Sequence, residues 1–158
     1  MRDIHEEGGT LIVFMWFAIL YTLSRQLDEL GVMDYLGNHV SRATSGLSWP
    51  AAYFILLVSY VLLHYLFVSQ TAHLVAVFPV YMAVGVSAGV PPSLLALMLL
   101  FATNFFSCIT PQGSSGNVIF VGSGYLEQTE VYRYGGMVTL VNLLIFGVIG
   151  TAWILLIF

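Results

Sequence analysis

Between Ala43 and Leu126 the chain carries no aspartate, glutamate, lysine or arginine. That feature constrains the fold more than any motif does. A domain in water covers itself with charge, to which soluble proteins give about a quarter of their residues. Here charged residues are 8% of 158 and hydrophobic residues 59%. Such a chain belongs in a bilayer, where backbone polar groups must be paired within the protein and helices pair them locally. The expected class is therefore an all-α integral membrane protein, a single membrane domain over residues 1–158.

Two polar knots lie inside the charge-free stretch. The first is Ser69-Gln70-Thr71, with His73 close behind, set in LHYLFVSQTAHLVAVFP. The second is SCITPQGSSGN, Ser107 to Asn117. Hydroxyls and amides at membrane depth are costly unless they have partners. The partner inferred from the pattern is a carried solute.

The remaining composition narrows the function. A net charge of -4 argues against a nucleic-acid partner. The single cysteine, Cys108, excludes an internal disulfide and a cysteine-based metal cluster, and packs as a small apolar residue. The start, MRDIHEEGG, is acidic and lacks the basic beginning of a signal peptide.

In chain order, Thr10 to Leu30 is long enough for one spanning helix. Arg25, Asp28 and Glu29 then lie at the interface, and Gly31 caps the end. Val32 to Arg42 mixes apolar and charged residues in the manner of a short interfacial helix. Ser48 precedes Trp49-Pro50 as a helix N-cap. Ala51–Val68 and the shorter Thr71–Val84, with Pro79 inside it, form either two full helices or a re-entrant hairpin tipped by Ser69-Gln70-Thr71. Both runs are apolar all round, so periodicity leaves the choice open. Gly85 and Gly89 have the spacing that permits close helix packing. Val90-Pro91-Pro92-Ser93 breaks and restarts the chain.

Ser93 to Phe106 is the next helix, and it runs into the second knot. With no charge there, the pattern favours a discontinuous transmembrane helix over a surface loop. Glu127 to Tyr134 is expected as an interfacial connection and Gly135 to Phe158 as the last spanning helix, anchored by Trp153. Arg2, Arg25, Arg42 and Arg133 are too few to set orientation.

A helix restarting after a break presents free N–H groups and the positive end of its dipole. These attract an anion without burying a full charge. Ser69, Thr71 and Thr110 supply hydroxyls, Pro111 holds the second break open, and paired discontinuous helices are a design of secondary transporters. His64 and His73 lack the carboxylate or cysteine company of a metal site and are expected as neutral packing groups, His73 with a secondary prospect of touching substrate. Ser69 and Ser114 lack a catalytic base, which argues against a hydrolase.

At these knots the sequence resembles the divalent anion:sodium symporter family, which carries a Ser-Asn-Thr signature at a re-entrant hairpin tip in each half. Ser69-Gln70-Thr71 matches it with Gln70 in the middle. LHYLFVSQTAHL looks most like the branch of citrate or tartrate:succinate antiporters and 2-oxoglutarate/malate translocators. ITPQGSSGNVIFVGSGYL, Ile109 to Leu126, looks like the family's unwound loop in the penultimate helix, and LDELGVMDYLG, Leu27 to Gly37, like the start of its C-terminal half.

The resemblance implies one inverted repeat with a re-entrant hairpin and a discontinuous helix, the C-terminal half of a di- or tricarboxylate transporter. Its substrate positions would be Ser69, Gln70, Thr71, Thr110 and Pro111, with His73 and Ser114 secondary. It implies a multi-pass protein of a bacterial inner membrane or its equivalent, and no cofactor. Gln70 departs from the signature, so exchange is favoured over coupling to Na+. The partners implied are the carboxylate, lipid, and a missing N-terminal half or a second copy. The rival readings are a sodium-coupled symporter half, a non-transporting scaffold or relic, and a membrane enzyme. The last lacks a charged residue in the apolar region.

Overall fold

The computed structural model describes residues 29–67, 69–111 and 113–158, with scattered positions between Met15 and Gln26. The helix expected over Thr10–Leu30, with Arg25 and Asp28, lies outside the described residues apart from those positions. Among the described residues every regular element is helical.

The short helix α1, Val32–Thr44, is followed by α2, Trp49–Leu63, which tightens into a 3₁₀ turn at His64–Leu66. Helix α3 is Gln70–Ser87, and α4 is Pro92–Phe105 with a 3₁₀ turn at Phe106–Cys108. Helix α5 is Ser115–Gly122. The last helix, α6, runs over Gln128–Ile157 and contains π-helical turns at Val131–Gly135 and Ile145–Gly150.

The boundaries follow local chemistry. Ser48 has extended backbone before α2, and Pro50 sits in its first turn, where a missing N–H is harmless. Gly89, at φ +80, adopts the left-handed conformation that closes α3, and Pro91-Pro92 start α4. Two expected boundaries are corrected. Pro79 does not shorten α3, which takes in 18 residues from Gln70 to Ser87. Residues 128–134 are the first turns of α6 rather than a connection, because Glu127 and Glu130 form a capping box, with Glu127 N–H donating to Glu130 Oε2 at 2.9 Å.

Among the described residues three segments are long and apolar enough to cross a membrane: Trp49–Leu66, Gln70–Ser87 and Gln128–Ile157. Eighteen helical residues rise about 27 Å, close to the thickness of a bilayer core. The protein is an all-α membrane protein.

Helices α2, α3 and α4 pack together, and α6 lies against α4. Since α2 and α3 are apolar on every side, hydrophobicity does not select the buried stripe. Shape and hydroxyl pairing do. Helix α2 buries Ala52, Tyr53, Leu56, Leu57, Tyr60 and Val61, in steps of three and four, while Phe54, Ile55, Val58 and Leu62 face outward. The buried tyrosines of α2 and α3 each find a hydroxyl on another helix. Tyr81 Oη donates to Ser59 Oγ at 3.1 Å, and Tyr60 Oη pairs with Thr103 Oγ1 at 3.3 Å. Tyr53 Oη pairs with Thr151 Oγ1 at 2.6 Å. Interhelical bonds of this kind contribute about 0.6 kcal/mol each on average.

Of the two glycines at small-residue spacing, only Gly85 serves close packing. A Cβ there would overlap Leu95 Cδ2 and come within 3.1 Å of Leu56 Cδ1. Leu56 and Leu95 are both fully buried and have nowhere to move. Gly85→Ala is therefore expected to destabilise the fold by about 1–3 kcal/mol. Thermal unfolding in detergent micelles, followed by circular dichroism, measures this.

Candidate functional site

The first break is short. After the 3₁₀ turn the chain is extended at Phe67 and at Ser69, which caps α3. Ser69 Oγ accepts from Ala72 N–H at 3.4 Å. Gln70 turns its amide across to α4, where Nε2 donates to the Thr103 carbonyl at 3.0 Å. Thr71 is exposed in the first turn of α3.

The second break runs from Phe106 to Ser114. Thr110 to Gly113 form a tight turn, closed by Gly113 N–H donating to Thr110 O at 3.1 Å. Pro111 holds the second position of that turn, for which its restricted φ is suited. Ser114 has extended backbone and caps α5, its Oγ accepting from Asn117 N–H at 3.2 Å. Residues 115–117, expected as loop, are thus the first turn of a helix. Asn117 reaches back from it, and Nδ2 donates to Ser107 O at 2.9 Å and Thr110 O at 2.8 Å.

The two breaks meet through two histidines. His64 Nε2 lies 3.1 Å from the Gly113 carbonyl. A carbonyl only accepts, so Nε2 carries the proton. In a neutral ring Nδ1 then accepts, and the donor to it is His73 Nδ1 at 3.3 Å. This order leaves His73 Nε2 as a buried acceptor without a partner among the described residues. Both histidines are fully buried. Their rings stack on Phe106, at centroid distances of 4.1 Å for His64 and 4.6 Å for His73. Tyr60 and Phe67 flank His73. Among the described residues no three His, Cys, Asp or Glu side chains converge as metal ligands would.

One more buried polar atom is unpartnered among the described residues: Thr110 Oγ1, on a fully buried residue. It borders a crowded point. A Cβ on Gly113 would lie 2.8 Å from both Thr110 Oγ1 and Ser107 O, and 3.0 Å from His64 Nε2. Gly113 is thus required by close approach.

Of the sequence candidates, Thr110 and Pro111 share one turn, bordered by His64 from the first break. Ser69 and Ser114 act as caps, Gln70 is bonded to α4, and Thr71 stands apart on an exposed face. Three residues outside the sequence candidates bind the arrangement: His64, Gly113 and Asn117. Asn117 did carry a signal, as an amide three residues after a serine cap in an apolar run. The reach of His64 to a residue 49 positions away carried none.

The chain belongs to the sodium:sulfate symporter family, whose transmembrane region matches residues 2–158. These are the divalent anion:sodium symporters that the motifs resemble, a family of membrane transporters and not of enzymes. Among its relatives, the chloroplastic dicarboxylate transporter 2.1 of Arabidopsis thaliana is 39% identical over 153 residues, 96% of this chain and 27% of the relative. The putative malate transporter YflS of Bacillus subtilis (strain 168) is 39% identical over 151 residues, 96% of this chain and 32% of the relative. The L-tartrate/succinate antiporter of Escherichia coli (strain K12) is 30% identical over 152 residues, 96% of this chain and 31% of the relative. The chain thus spans about a quarter to a third of the relatives it matches.

Asn117→Ala removes both bonds to the break. Since a neutral hydrogen bond contributes about 0.5–1.5 kcal/mol net, the loss of two is expected to lower stability by about 1–3 kcal/mol. Thermal unfolding in micelles measures it, with Asn117→Asp, which keeps the size and loses the donors, as a second variant.

Proposed function

We propose that this chain is the C-terminal repeat of a two-repeat secondary transporter for di- or tricarboxylates of the succinate, malate, 2-oxoglutarate, citrate or tartrate class. It works by anion exchange, as a multi-pass protein of a bacterial inner membrane or its equivalent. Ser69, Gln70, Thr71, Thr110 and Pro111 hold the substrate, with His73 and Ser114 as secondary contacts. The N-terminal repeat, or a second copy, completes the site. Na+ is not required.

The observation that carries this reading is Thr110 Oγ1. A buried hydroxyl with no partner costs about 1–3 kcal/mol, and native proteins keep few of them. This one lies in an uncharged break, close to the start of α5, whose first N–H groups have no acceptor in their own helix. A hydroxyl donor beside such N–H groups suits a carboxylate. The length of the relatives supports the two-repeat reading, because a site between inverted repeats needs both. Their names, a malate transporter, dicarboxylate transporters and a tartrate/succinate antiporter, support the substrate class and the exchange mode.

Thr110→Val separates binding from structure. It keeps the shape and removes an atom that has no partner among the described residues, so stability without ligand is expected to hold or rise by about 1 kcal/mol. Malate or succinate at about 100 times its dissociation constant is expected to stabilise the unsubstituted chain by about 2.7 kcal/mol and the variant far less. Equal shifts, or none in either, would count against the site.

Transport is read in proteoliposomes loaded with malate. Uptake of labelled succinate is expected only when the N-terminal repeat is supplied, and to persist when potassium replaces sodium. Uptake by this chain alone would refute the need for an N-terminal repeat and leave a second copy as the completing partner, and a strict sodium requirement would refute exchange.

A further inference from the structure

The break that carries Thr110 and Pro111 is also gripped from behind. When α4 ends at Phe105, the carbonyls of its last turn lose their helical partners. Two of the carbonyls around that end are met by α6. Thr139 Oγ1 donates to Phe105 O at 3.2 Å, and Thr139 is buried. One turn earlier, Gly135 presses its backbone against the Cys108 carbonyl. A Cβ on Gly135 would overlap that oxygen and lie 2.8 Å from the carbonyl carbon.

The approach depends on the shape of α6. Gly135 ends the π-helical turn Val131–Gly135, and a π turn shifts the face that the following residues present. Val131, Gly135 and Thr139 are buried in a row, while Tyr132, Tyr134, Met137, Val138 and Leu140 between them are exposed. The inner face of α6 is therefore a glycine and a hydroxyl, placed on two backbone carbonyls of the discontinuous helix. Two residues beyond Cys108 the turn of Thr110 begins.

We infer that Gly135 and Thr139 are positioning residues: they clamp the end of α4 and set the height at which the Thr110–Gly113 turn is presented. What the turn is presented to rests on the carboxylate reading above. The clamp itself does not.

Cys108, the single cysteine, reports on the clamp directly. A cleft of about 370 Å³ between α4 and α6, walled by Phe101, Phe105, Val138 and Phe146, is also lined by Cys108. The rate of its alkylation by N-ethylmaleimide is measured on the chain in liposomes, with and without malate, with circular dichroism to check the fold. Thr139→Val is expected to raise the rate about fivefold, the equilibrium effect of one lost hydrogen bond. Thr139→Ser keeps the donor and is expected to restore the original rate. Gly135→Ala is expected to raise it more, because overlap with a backbone carbonyl is not relieved by rotating a side chain. If Gly135→Ala does not fold, the two Thr139 variants decide.

Rates within twofold of the original in both Thr139→Val and Gly135→Ala overturn the clamp. Malate slowing the original chain, with that protection weakened in Thr139→Val and regained in Thr139→Ser, supports the clamp and the carboxylate reading together. Raised rates with no malate effect in any chain leave the clamp standing and remove the carboxylate reading. Malate protection that is equal in all chains, with unchanged rates, does the reverse. In the transporter completed with its N-terminal repeat, Thr139→Val is expected to raise the malate concentration for half-maximal uptake while leaving the maximal rate within twofold.

Discussion

The structure depends on how a helix can stop inside a medium that solvates nothing. Each break frees carbonyls behind it and N–H groups ahead of it, and hydrocarbon cannot receive them. With no ionised group between Ala43 and Leu126, the chain meets this with neutral side chains alone. Ser69 and Ser114 take N–H groups, Asn117 and His64 take carbonyls, and Gln70 reaches from one break to the helix that ends at the other. The histidine pair is central because it spans both gaps, and its order of donors is imposed by one carbonyl that can only accept.

This accounting also shows where it fails to close. Among the described residues two buried polar atoms remain unpartnered, His73 Nε2 and Thr110 Oγ1, and both belong to residues lining the breaks. The buried tyrosines nearby are paired: Tyr53, Tyr60 and Tyr81 each have a hydroxyl partner on another helix. A protein that satisfies its packing tyrosines and leaves the break residues open concentrates its unmet hydrogen bonding at one place, as functional sites do. The chain's family is one of membrane transporters.

Much of this was legible before any coordinates. The missing charge identified the solvent, and the two polar knots marked where helices stop. Ser48, Gly31 and the Pro91-Pro92 pair marked boundaries because caps and breakers act locally. Where the reading slipped, the reason is also local. Ser115-Gly116-Asn117 looks like loop, yet Ser114 caps a helix there; Glu127 looks like a connection, yet it closes a capping box. What stayed illegible was everything that needs two distant segments at once. Helices apolar on all sides do not say which side is inside, and nothing near Gly135 announces that it will lie on the carbonyl of Cys108.

The absence of ionised side chains from the helices around the two breaks has an electrical consequence. A displaced unit charge works against the membrane potential by about 2.3 kcal/mol per 100 mV. Segments such as α2 to α5 contribute none of that work when they shift, apart from the small partial charges at their ends. In a carrier built on them, the voltage acts on the passenger and not on the vehicle. Swapping two anions of equal valence would then leave the potential neither a brake nor a motor.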